Sequence, residues 1–147
     1  MVPLITFAVA VVVLGVLSYI FYGTGLGRRL RATSDSTEVV QLMGVNPRIV
    51  FAIAMGISFV VLTIAAFFMG IRSNFDPSVG PARLLYAFEA VVIGGLGSLW
   101  GTLAGGVILG VAQAIGARIN PEWQILAGHL VFLVFIIFRP RGLFPKQ

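Results

Sequence analysis

Long apolar runs alternate with short polar breaks along this chain, and the lengths of the runs decide what they are. The first, residues 2–22, is almost uninterrupted, and as a helix it is about 30 Å long, the thickness of a bilayer's hydrocarbon core. Pro3 falls in its first turn, where proline is tolerated. A second run, residues 49–71, has Ser58 and Thr63 as its only hydroxyls and is closed by Arg72. From Leu84 to Ala117 the chain is again apolar but too long for one untilted helix, and Gly94, Gly95, Gly97 and Gly101 interrupt it. Two elements are therefore expected, residues 84–98 and 99–117, the first short enough for a half-helix or re-entrant hairpin. A last run, residues 124–138, extends back to Pro121 if Trp123 marks the membrane interface, and stops at Arg139, Pro140 and Arg141. The pattern predicts an all-α fold. It is a polytopic transmembrane helical bundle with four to five membrane elements, including a Gly-broken hairpin, in a single domain over residues 1–147.

The polar breaks differ in character. Residues 23–48 form the main polar loop: Gly-rich at the start, then Arg28, Arg29 and Arg31, then Thr33 to Glu38. Within it, Ser34 or Asp35 can cap a short helix through Glu38, Val39, Val40, Gln41, Leu42 and Met43, with Gly44 as its stop. Val39, Leu42 and Met43 fall on one face, a shape suited to docking into a groove on a partner. Residues 72–83 are a connector rich in turn formers: Asn74, Asp76, Pro77, Gly80 and Pro81.

Composition sharpens this reading. Hydrophobic residues are 59% of the chain and charged residues 10%, against roughly 25% charged in an ordinary soluble domain. The net charge of +5 does not mark a nucleic-acid surface, because the basic residues bracket apolar runs as juxtamembrane anchors do. Arg28, Arg29 and Arg31 follow the first run, Arg48 precedes the second, and Arg139, Arg141 and Lys146 follow the last. By the positive-inside rule the loop 23–48 and the basic tail lie in the cytoplasm, the N-terminus lies outside, and residues 118–123 form an outer loop. With no basic n-region and no cleavage site, the first run is expected to be a retained span.

Candidate chemistry is sparse. There is no cysteine, and His129 is the only histidine, so disulfides, thiolate chemistry and a histidine metal cluster are not expected. No Walker-type loop and no paired acid and base are present; the chain is expected to be no enzyme and to need no cofactor. Gly97, Gly101 and Gly105 are spaced four apart, as are Gly106 and Gly110, which suits close helix packing and also a path-lining role. Glu89 stands in an apolar stretch, where a carboxylate facing lipid costs at least about 2.5 kcal/mol. It serves a pathway, snorkels to the surface, or pairs with Arg83. His129 has no acidic neighbour in sequence and is expected to be hydrogen-bonded between helices rather than to relay protons. Tyr19, Phe21 and Tyr22 read as an interfacial aromatic belt.

Three stretches together resemble a known family, the permease subunits of branched-chain amino-acid ABC importers of the LivH/LivM type. The segment from Gly27 and Arg31 through Glu38, Val39, Leu42, Gly44 and Asn46 resembles the family's cytoplasmic coupling loop. Val39 and Val40 stand where its EAA-type motif usually has alanine. The stretch with Glu89, Gly94, Gly95 and Gly97, followed by Gly101 and Gly105, is similar to its Gly-rich segment. Residues 138–144, Phe-Arg-Pro-Arg-Gly-Leu-Phe, match its closing signature. Members are longer, and this chain resembles their C-terminal half.

The resemblance implies a bacterial inner-membrane subunit that works by alternating access with a second permease subunit, ABC ATPase subunits and an extracytoplasmic substrate-binding protein. The ATPase would couple through the loop 23–48. The carried solute stays open among branched-chain and other amino acids, urea and amides. From the residues alone, a small self-associating pore or a proton-coupled transporter using Glu89 is the alternative.

Overall fold

The computed structural model describes residues 1–144; Lys146 of the basic tail lies outside them. The described residues form seven helices and no strand. They fall into two compact units, Met1–Phe75 and a second that starts at Asp76.

In the first unit, α1 (Val2–Gly23) and α4 (Pro47–Arg72) are the two long apolar helices. Their 22 and 26 residues make them about 33 and 39 Å long. Both have the length and composition to cross a membrane. Ser58 and Thr63 donate their hydroxyls to the carbonyls of Ala54 and Phe59 one turn back, so α4 exposes no unpaired hydroxyl to lipid.

Between them the chain is more ordered than a loop. Residues 25–35, expected to be part of the polar loop, form a helix of their own, α2 (Gly25–Asp35). Glycines and arginines hide its signal, yet Gly27, Leu30 and Thr33 recur at helical spacing and are buried while Arg28 and Arg29 stay exposed. Thr24 makes the corner with α1: its hydroxyl donates to the Ile20 carbonyl and accepts from the Gly27 amide. A Cβ on Gly27 would run into the Phe21 carbonyl, so only glycine lets α2 start this close. Arg31 reinforces the corner, donating to the Phe21 carbonyl and lying 5.0 Å over the Tyr22 ring.

The short helix expected within the polar loop is α3 (Thr37–Leu42). Its cap is Ser36, whose hydroxyl accepts from the Val39 amide, and not Ser34 or Asp35, because those two complete the last turn of α2. Gly44 is its stop, as expected: at φ +79° it allows Gly44 and Val45 to donate to the carbonyls of Gln41 and Val40. Asn46 then caps α4 by accepting from the Arg48 amide at 3.0 Å.

The second unit packs α5 (Val79–Gly94) and α7 (Trp123–Phe138) against α6 (Leu99–Ile119). Of these, α6 is long and apolar enough to span a membrane, and α7 is a shorter apolar helix. The expected break between two elements is present at residues 95–98, and the helix before it starts at Val79, earlier than Leu84. Ser98 restarts the chain as the cap of α6, accepting from the Gly101 amide at 3.0 Å.

Candidate functional site

Two clusters carry the residues singled out by sequence, one in each unit. In the first unit the cluster is α3 and its flanks. Val40 is its buried anchor, and the face opposite is bare: Val39, Leu42 and Met43 are 54%, 87% and 78% exposed. Glu38 is exposed in the first turn of α3, where a carboxylate suits the helix N-terminus. The six residues assigned to coupling therefore divide. Glu38, Val39 and Leu42 present a surface; Gly44 and Asn46 shape the backbone on either side of the α3–α4 turn. Arg31 braces α2 against α1 and does not belong to the exposed face.

In the second unit the cluster is built on tight packing between α5 and α6. A Cβ on Gly101 would strike the Gly94 carbonyl, and one on Gly105 the Ala90 carbonyl. This stripe is a close helix contact of the small-residue kind. Gly97 is not part of it: it lies in the break at φ +92°, exposed and outside α6. Gly106 and Gly110 meet nothing within 4 Å, so their spacing does not mark a contact in this unit.

The close approach of α5 and α6 encloses Glu89, which is 1% exposed. Its carboxylate does not pair with Arg83, which is exposed, and it does not snorkel. Oε1 is engaged by Nδ1 of His129 on α7. One turn before Glu89 on α5, Tyr86 stacks on the same imidazole, with centroids 5.9 Å apart and planes inclined by 16°. Glu89 Oε2 has no hydrogen-bond partner among the described residues. His129 is thus hydrogen-bonded between helices, as expected, but its partner is an acid that no sequence neighbour announced.

The break after α5 is closed by the tail. Beyond α7 the chain folds back, and the amides of Leu143 and Phe144 donate to the carbonyls of Ile93 and Gly94 at 2.9 and 3.2 Å. These carbonyls would otherwise be left unpaired at the helix end. Gly95 at φ +97° and Gly142 at φ +78° meet there, and a Cβ on Gly95 would lie 2.7 Å from the Phe144 carbonyl. Gly94 and Gly95 therefore serve helix contact and tail docking. The closing motif was legible in the sequence, but nothing in its spacing pointed to residues 93–95.

Long apolar helices, hydroxyls satisfied within them, and a buried acid held by a half-buried histidine define a multi-pass membrane protein. Comparison with known proteins refines the class. Residues 2–138 match the family described as branched-chain amino acid transport system / permease component, and the chain belongs to that family. It is 29% identical over 145 residues to the high-affinity branched-chain amino acid transport system permease protein BraD of Pseudomonas aeruginosa, covering 97% of this chain and 47% of that one. It is 28% identical over 123 residues to the corresponding LivH protein of Escherichia coli, covering 82% and 40%. The fructose import permease protein FrcC of Rhizobium meliloti is 30% identical over 143 residues, covering 89% and 39%. The chain spans less than half the length of these relatives. No solved structure matches it.

Proposed function

We propose that this chain is a membrane-spanning permease component of an ATP-binding-cassette importer for branched-chain or related amino acids, working by alternating access in a bacterial cytoplasmic membrane. The observation that carries this reading is α3. A six-residue helix set between two span-length helices, with one residue buried and an apolar face open, is built to be held by a partner. The partner that fits is an ABC ATPase, since the chain contains no nucleotide-binding motif of its own. A second permease subunit and an extracytoplasmic binding protein complete the assembly, with no cofactor in this chain.

The arginines within α2 and the basic residues after α7 support a cytoplasmic loop and tail, with the N-terminus outside. The family whose description matches residues 2–138 is one of branched-chain amino acid transport, and the relative named for amino acids covers 97% of this chain against 89% for the one named for fructose, which favours an amino-acid solute. The test is Leu42→Asp in the co-expressed transporter. It is expected to abolish recovery of the ATPase with the chain, and ATP-driven uptake, with membrane insertion unchanged. Full ATPase recovery with this variant would rule out α3 as the docking element.

One observation favours a second reading, a proton-coupled transporter: the buried Glu89 held by His129. Uptake that persists without ATP and collapses with the proton gradient would select it.

A further inference from the structure

In the first unit, α2 and the start of α4 enclose a groove of about 140 Å³, close in size to the ~150 Å³ apolar cavities that hold a small hydrocarbon. Leu26, Leu30, Ile49 and Ile53 form apolar walls, and Arg29 and Asn46, both exposed, supply polar atoms. The groove thus has an apolar slot and a polar rim in one place.

The rim is chemically one-sided. Asn46 spends its side-chain carbonyl on the Arg48 amide, which leaves its NH₂ group as a donor. Arg29 can only donate, and no carboxylate lies within ion-pair distance of Arg28, Arg29 or Arg48 among the described residues. Arg31 shows the contrast, since its guanidinium is already committed to the Phe21 carbonyl and the Tyr22 ring. Donors without acceptors, next to an apolar slot, fit an amphiphile with an anionic head. The location agrees: the groove lies where α1 gives way to α2 and α4 begins, at the ends of two span-length helices, where headgroups meet acyl chains.

We propose that this groove binds an anionic phospholipid, with part of an acyl chain along Leu26, Leu30, Ile49 and Ile53 and the phosphate between Arg29 and Asn46. The site depends on the chain lying in a bilayer, which its family establishes, and not on the solute carried or on α3 docking.

The test uses the chain in its co-expressed assembly, reconstituted in phosphatidylcholine with a phosphatidylglycerol probe carrying a diazirine on its acyl chain. Photolabel is expected on the peptide containing Ile49 and Ile53. Unlabelled phosphatidylglycerol should compete for it; phosphatidylcholine and inorganic phosphate should not. Arg29→Gln should lower labelling about fivefold, the effect of one basic residue at a membrane surface, and Arg72→Gln, at the other end of α4, should leave it unchanged. Arg29 is exposed, and an unchanged thermal midpoint checks that the variant is folded. Equal labelling by a phosphatidylcholine probe, no response to Arg29→Gln, or competition by inorganic phosphate alone would each overturn the proposal. So would a crosslink from a photoreactive residue at position 53 to a partner polypeptide, which would show the groove filled by protein.

Discussion

Glu89 and His129 are separated by 40 positions, and no periodicity connects them. The sequence marks Glu89 as costly in lipid and His129 as polar, but only the packing of α5, α6 and α7 puts them together. Removing one partner leaves the other's polar group stranded. His129→Leu is therefore expected to destabilise by at least about 1–3 kcal/mol, because it leaves the buried Glu89 carboxylate without its partner, and the double change Glu89→Leu with His129→Leu should recover much of the loss. A thermal-melting double-mutant cycle in detergent measures this, and additive losses would show that the two side chains are not coupled. The glycines give a sharper contrast at the same scale. Gly101→Leu should cost at least about 1–3 kcal/mol through overpacking, because its Cβ meets the Gly94 carbonyl, whereas Gly106→Leu and Gly110→Leu enter open space and should be nearly neutral. Equal melting shifts for all three would contradict the contact geometry.

Asp76 offers a pH-dependent check. Its carboxylate accepts from the Ser78 amide at 3.1 Å, and these hydrogen bonds lower its pKa below the usual 3.8. A lowered folded pKa means the contribution is present above the unfolded value and is lost as pH falls through the folded one. The difference in melting temperature between the chain and Asp76→Asn should thus be constant near neutrality and shrink in acid below about pH 4. A gap that widens on acidification would contradict the hydrogen-bond assignment.

At the scale of elements, the spans were legible and the joints were not. Residues 2–22 and 49–71 are uniform apolar runs, and they appear as α1 and α4 within two residues at either end. The Gly-rich break after α5 was equally visible. By contrast, α2 was read as loop because glycine and arginine dominate its composition, and its helical register rests on three residues, Gly27, Leu30 and Thr33. The cap of α3 shifted to Ser36 for the same reason, since an unrecognised helix already occupied Ser34 and Asp35. Gly44 tests how far α3 depends on its stop. No atom lies within 4 Å of an added Cβ, so the penalty is conformational. Gly44→Ala should cost about 1 kcal/mol and Gly44→Asn less, since asparagine tolerates the left-handed region. ATPase recovery should follow that order, and Gly44→Ala indistinguishable from the parent would mean that the turn is not needed to present Leu42.

For the whole molecule, family membership was readable from three ordered motifs, while the job of the closing motif was not. A signature of Phe-Arg-Pro-Arg-Gly-Leu-Phe looks like a basic membrane anchor, and its arginines fit that role. Gly142, Leu143 and Phe144 do something else: they finish the end of α5. Backbone pairing of this kind depends on geometry and leaves no trace in composition.

That pairing also imposes an order in time. Leu143 leaves the ribosome 50 residues after the Ile93 carbonyl it pairs with, a delay of several seconds at roughly 5–20 residues per second. During that interval α5 has emerged with its last two carbonyls unpaired, so its end stays uncapped until residues 142–144 are synthesised. Nascent chains arrested before Gly142 should therefore be cut readily by protease at residues 95–98, and those arrested with residues 142–144 outside the exit tunnel should be protected. Equal cleavage of both would mean that α5 settles without the tail.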